Sequence, residues 1–97
     1  MVKHIILWKL NESLTDEEKN AVRKAAKEGL EGLVGKIDGL VSLTVVTESL
    51  PTSTADLMLD STFTDADALA GYAVHPLHVA AAQVMRKNAA VRLCLDF

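Results

Sequence analysis

Cysteine, proline and aromatic rings are all scarce in this chain. Its 97 residues hold one Cys, two Pro, one Trp, one Tyr and two Phe, while hydrophobic residues make up 49%. The core is therefore expected to be aliphatic and alanine-rich. A lone Cys94 cannot close an internal disulfide, and its place in an apolar, strand-like run suggests a buried, inert thiol. Basic clusters are missing too: Lys and Arg number 10 against 13 Asp and Glu, for a net charge of −3. A phosphate backbone requires a concentrated basic surface, so no nucleic acid is expected as partner. No apolar run approaches the roughly 20 residues of a membrane span, so no membrane is expected either. Met1-Val2-Lys3-His4 leads straight into a strand pattern rather than a signal peptide, which makes a cytoplasmic protein the expectation. A chain of this length forms one domain, residues 1–97.

What is present is strongly patterned. Lys3 to Leu10 reads as a strand with His4, Ile6, Trp8 and Leu10 on one face and Lys3, Ile5, Leu7 and Lys9 on the other. Thr15-Asp16-Glu17-Glu18 is a capping-box start, and Val22, Ala26, Leu30, Leu33 and Ile37 then recur at helical spacing. That helix is expected to end between Gly35 and Asp38. Lys19, Arg23, Lys24 and Lys27 lie off the apolar stripe and read as a solvated face. Leu40 to Thr47 and Ala55 to Phe63 are two further strands. Asp56 and Asp60 share a face of the second of these without further ligands, so no metal is expected there. Thr64-Asp65-Ala66-Asp67 opens a helix that His75-Pro76 must break, with Pro76 starting a new one that runs to about Asn88. Val91 to Phe97 closes the chain as a strand.

This order is an α+β, ferredoxin-like β-α-β-β-α-β arrangement: a four-stranded antiparallel sheet with helices on one face. Several strands are apolar on both faces, yet the helices can cover only one. The simplest cover for the other is a second copy, giving a homodimer through the sheet face.

Acid–base groups gather in Gly71-Tyr72-Ala73-Val74-His75-Pro76-Leu77-His78, which holds the only Tyr and two of the three His. A histidine titrates near neutral pH and suits proton transfer at a carbon beside a carbonyl; a buried tyrosine hydroxyl can donate to a developing enolate oxygen. Tyr72 and His78 are thus the candidates for catalysis. His4, Trp8 and His75 are candidates for the pocket, Trp8 as an apolar wall. Structural roles compete with these: His75 as cap of the following helix, Tyr72 as a packing residue, His78 as a satisfied structural histidine. A His75/His78 metal pair lacks a Cys or carboxylate to complete it, so neither metal nor cofactor is expected.

Val2-Lys3-His4-Ile5-Ile6-Leu7, Lys36-Ile37-Asp38-Gly39-Leu40, Tyr72-x-x-His75-Pro76-x-His78 and Leu95-Asp96-Phe97 together resemble the stress-responsive A/B barrel (Dabb) domain family. The resemblance implies a dimeric α+β barrel of ferredoxin-like protomers. Most members of that family have no assigned reaction. A plant polyketide cyclase among them carries a Tyr and a His, at the positions of Tyr72 and His78, that act as acid and base in an intramolecular aldol cyclisation. His4 matches a pocket histidine of that enzyme. Leu57 departs from it, standing where the cyclase has another histidine, and Asp38-Gly39 replaces a proline usual in the family. Some relatives hold Mg²⁺ on backbone carbonyls matching Val34, Ile37 and Leu40. The expected function is a small cofactor-independent lyase, cyclase or isomerase acting on a carbonyl compound. The alternative is a non-catalytic stress-responsive dimer binding a small apolar ligand.

Overall fold

The alternation at the start of the chain becomes β1 (Val2–Leu10), with His4, Ile6, Trp8 and Leu10 all buried. The computed structural model describes all of residues 1–97. α1 (Asp16–Glu31) starts where the capping box places it: Glu18 N donates to Thr15 Oγ1 at 3.1 Å and Thr15 N donates to Glu18 Oε1 at 2.9 Å. Val22, Ala26 and Leu30 bury its inner face. The helix ends at Glu31, earlier than the Gly35–Asp38 expectation. Gly32 caps it and Gly35 turns with φ 87°, a conformation that stops helix propagation. Leu33 and Ile37 still reach the core, but from successive turns.

β2 (Leu40–Val46) and β3 (Leu57–Phe63) follow, then α2 (Ala66–Val74), capped by Asp65, whose Oδ1 accepts from Ala68 N at 2.7 Å. His75 is extended (φ −66°, ψ 132°), as the residue before a proline prefers, and Pro76 opens α3 (Pro76–Ala81). The single helix expected from Pro76 to Asn88 is two: Ala82 interrupts it and α4 (Gln83–Asn88) continues. No glycine or proline marks that break, and nothing in the local sequence accounts for it. β4 (Ala89–Asp96) begins two residues before the expected Val91, because pairing with β1 recruits Ala89 opposite Leu10.

The sheet order is β2-β3-β1-β4, every pair antiparallel, which is the ferredoxin-like topology. The helices cover one face, over a core that includes Phe63, Leu59, Leu10 and Tyr72. α1 packs on β2, and α2 on β1, β2 and β3; the edge strand β4 is left largely exposed. The expectation of a buried Cys94 therefore fails. Cys94 is exposed because it sits on an edge strand that no helix covers.

Across the sheet, the other face is apolar and bare. Register sets Ile5 beside Leu95, and Leu7 between Leu93 and Met58. Leu93 and Leu95 are 62% and 64% exposed. At one end of this face Lys3 Nζ reaches Asp60 Oδ1 at 2.5 Å and Thr62 Oγ1 at 3.1 Å, so its charges are already paired. No helix is long and apolar enough to cross a membrane.

Candidate functional site

Between the helices and the uncovered half of the sheet lies a cavity of about 400 Å³. Its walls are mostly apolar: Ile6 and Trp8 from β1, Leu59 from β3, Leu30 from α1 and Met85 from α4. Its polar groups are Tyr72 from α2, His78 from α3, Arg86 from α4 and Arg92 from β4.

The break at His75-Pro76 brings Tyr72 and His78 together. Their rings stack with centroids 4.1 Å apart, tilted by 35°. The other side of the Tyr72 ring environment is Phe63, at 4.9 Å, with His4 edge-on at 6.3 Å. Tyr72 is only 2% exposed, and its hydroxyl is buried without a hydrogen-bond partner. A native fold seldom leaves such a group unmatched, because it forgoes about 1–3 kcal/mol. Burial raises the Tyr72 pKa to about 12, the Arg92 charge opposing that rise.

His78 Nδ1 lies 3.2 Å from the Ala73 carbonyl oxygen. A carbonyl only accepts, so Nδ1 carries the proton and Nε2 of the neutral ring keeps its lone pair. Burial holds the His78 pKa below its usual value; the Ala73 bond opposes this, and the charges of Arg86, His4 and Arg92 add to the lowering. At pH 7 the site thus presents a neutral imidazole with a free basic nitrogen beside a protonated phenol.

The three pocket candidates separate. Trp8 lines the cavity. His4 does not; it lies behind Tyr72, its Nδ1 bonded to Asp96 Oδ1 and its backbone carbonyl accepting from buried Ser61 Oγ at 2.8 Å. His75 is away from the cavity and caps α3, its Nδ1 accepting from Leu77 N at 3.1 Å. Leu57, where the resembled cyclase has a histidine, is packed in the core opposite Trp8.

Asp96, Cys94 and Arg92 escaped the sequence reading as site residues. The signal was available: they alternate on the face of β4 opposite Val91, Leu93 and Leu95, hence the face of His4 and Trp8. The His4 bond holds the Asp96 carboxyl below its usual pKa. Partial burial and the Asp96 carboxylate raise the Cys94 thiol, so despite its exposure it is a poor nucleophile. His4, Cys94 and Asp96 bring three ligand atoms within 4.8 Å of one another, the one side-chain group able to hold a metal ion. In the loop resembling a Mg²⁺ site, the Ile37 carbonyl already accepts from Leu40 N at 3.3 Å, and no ligating side chains cluster there.

Because Tyr72 is the only tyrosine, its ionisation can be read directly from tyrosinate absorbance. The folded protein should show no rise through pH 10 and titrate near 12. The unfolded phenol ionises near 10, so the stability that the Tyr72 phenol contributes is full below pH 10 and is lost as pH rises from 10 toward 12. A tyrosinate signal at pH 10 in protein that circular dichroism shows to be folded would mean an exposed phenol and rule this geometry out.

The fold and cavity define a ferredoxin-like α+β protein with a small-molecule-sized pocket built around a tyrosine–histidine stack. The stress responsive A/B barrel domain (Dabb) family matches residues 2–97, and the chain belongs to that family. A dimeric ferredoxin-like protein of unknown function from Bacteroides fragilis is 36% identical, with a TM-score of 0.94 over 99% of this chain and 93% of its own. A Dabb family protein from Mesorhizobium loti superposes with a TM-score of 0.75 at 21% identity, over 99% of this chain and 93% of its own. A hydroxynitrile lyase from Passiflora edulis shares the fold at 13% identity, with a TM-score of 0.74 over 99% of this chain and 90% of its own. Among curated proteins none matches the chain significantly.

Proposed function

We propose that this protein is a small cofactor-independent lyase, cyclase or isomerase acting on a carbonyl compound, with His78 as base and Tyr72 as hydrogen-bond donor. The buried, unpartnered Tyr72 hydroxyl stacked beside a neutral His78 is the observation that carries this reading. A substrate carbonyl oxygen that enters the cavity and displaces its wall enough to reach the buried hydroxyl would give that hydroxyl its missing acceptor. His78 Nε2 would take the proton from the adjacent carbon, and the charge moving onto oxygen would strengthen the Tyr72 bond as the enolate forms. Apolar walls raise the value of both interactions by excluding water. Trp8 serves as wall, His4 supports the Tyr72 ring from behind, and His75 shapes the turn. That a hydroxynitrile lyase shares the fold shows that this architecture can house lyase chemistry, and no more.

The protein works in this reading as a cytoplasmic homodimer through the open sheet face, as the exposed Leu93 and Leu95 and a dimeric relative support. The catalytic test is exchange of an α-proton for solvent deuterium in simple β-dicarbonyl probes, followed by NMR. The wild type should accelerate exchange; His78→Ala and Tyr72→Phe should each lose about 10²-fold or more. Tyr72→Phe should leave stability unchanged or slightly raised, since it deletes a buried hydroxyl that bonds to nothing. A loss above about 1 kcal/mol would mark the hydroxyl as a structural partner instead. Wild-type protein that binds the probes in the cavity without exchanging them would favour the non-catalytic dimer that holds a small apolar ligand.

A further inference from the structure

The two arginines of the cavity have no role in the chemistry above and no partner in the fold. Arg86 on α4 and Arg92 on β4 both line the opening, and both are exposed. Neither makes an ion pair or side-chain hydrogen bond, whereas Lys3, Arg23 and Lys27 are each paired with a carboxylate. No acidic side chain lines the cavity. Asp96 feels the Arg92 charge but makes no ion pair with it, its hydrogen bonds going to His4 and Cys94. Both arginines share the cavity wall with His78, and their charges add to the lowering of its pKa. A chain of net charge −3 thus keeps a local positive excess at the wall of this largely apolar cavity.

We propose that the cavity takes an organic carboxylate, its apolar or aromatic body against Trp8, Leu59 and Met85 and its anionic head on Arg86 and Arg92. This deepens the carbonyl-compound reading by naming the substrate as a keto acid or similar oxo-carboxylate, and rests on it for the chemistry alone. Guanidinium groups match carboxylates with paired N–H donors, and a charge-assisted pair at the rim of an apolar pocket fixes which end of the ligand enters. The head on the arginines leaves the body, with its carbonyl, to reach Tyr72 and His78. The same charges explain selectivity: a cationic analogue meets repulsion, and a neutral one forgoes the guanidinium bonds.

Trp8 is the only tryptophan and lines the cavity, so intrinsic fluorescence reports occupancy without any need for turnover. The probes are 4-phenylbutyrate, its methyl ester and 4-phenylbutylamine. The carboxylate should bind about tenfold or more tighter than the ester, the amine weakest, and the carboxylate preference should fade with salt. Arg86→Leu and Arg92→Leu should each shrink the preference, and together bring acid and ester within about threefold of each other. Both side chains are exposed, so the variants should fold, which circular dichroism checks. Equal affinity for acid and ester, an undiminished preference in the double variant, or no saturable response to the carboxylate would each overturn the proposal. Carboxylate preference without deuterium exchange in any β-dicarbonyl would leave this proposal standing and remove the catalytic one; exchange without preference would do the reverse.

Discussion

Leu95→Asp is expected to turn the proposed dimer into a monomer and to lower thermal stability with it. Leu95 lies beside Ile5 on the face the helices leave bare, next in line to Leu93, and is 64% exposed in the single chain. Covering a leucine is worth about 1.5–3 kcal/mol, and twofold symmetry counts the site twice. The aspartate adds a charge that must be desolvated with no cation in reach, since Lys3, on the same face, is already held by Asp60. Together these should weaken association by at least about 10³-fold. Sedimentation velocity across a concentration series gives the test, and the wild-type melting temperature should rise with concentration while the variant's does not. Val74→Asp is the control: Val74 is more exposed still, at 76%, but ends α2 on the helix-covered side of the sheet and should leave assembly untouched. A variant that stays dimeric would place the interface elsewhere.

The elements that were legible in the sequence are those fixed by neighbours along the chain. The capping box at Thr15 and Glu18, the cap at Asp65 and the break at His75-Pro76 each depend on residues within a few positions, and all three stand where local chemistry puts them. Strand β1 showed its two faces because side chains alternate whatever the partner. What was hidden depends on contacts across the sheet. Ala89 becomes strand only because Leu10 pairs with it, and Cys94 is exposed only because β4 falls at the edge, beyond the helices.

The site divides in the same way. Tyr72 and His78 were visible as rare groups six positions apart across a proline, and the turn brings their rings to 4.1 Å. Their environment was not visible. That His4 lies behind Tyr72 rather than in the cavity follows from how α2 lies on the sheet. Arg92 reaches the cavity only because antiparallel pairing sets it opposite Trp8. Periodicity states which residues share a face; which helix covers that face is a tertiary fact.

Gly39→Ala is expected to cost about 2–5 kcal/mol, more than a surface loop substitution ordinarily would. Gly39 has φ 82°, and a left-handed conformation costs an alanine about 1–2 kcal/mol. A Cβ there would also stand 2.4 Å from Ala68 Cβ and 3.0 Å from Thr64 Oγ1, so α2 must shift, at a further 1–3 kcal/mol or so. Gly39 also holds the start of that helix through its carbonyl, which accepts from Thr64 N at 2.9 Å. Displacing α2 displaces Tyr72, so the stack on His78 should loosen and Tyr72 should ionise at lower pH than in the wild type. Gly35→Ala separates the two costs. Gly35 has φ 87° with nothing within 4 Å of a new Cβ, so it should show the conformational cost alone. Ala68→Gly in the Gly39→Ala background should recover much of the clash and none of the strain, leaving the double variant above Gly35→Ala in a denaturant titration by about the 1 kcal/mol that a glycine inside α2 costs. If Gly39→Ala costs no more than Gly35→Ala, the close approach of α2 to this turn does not exist in solution, and the placement of Tyr72 must have another cause.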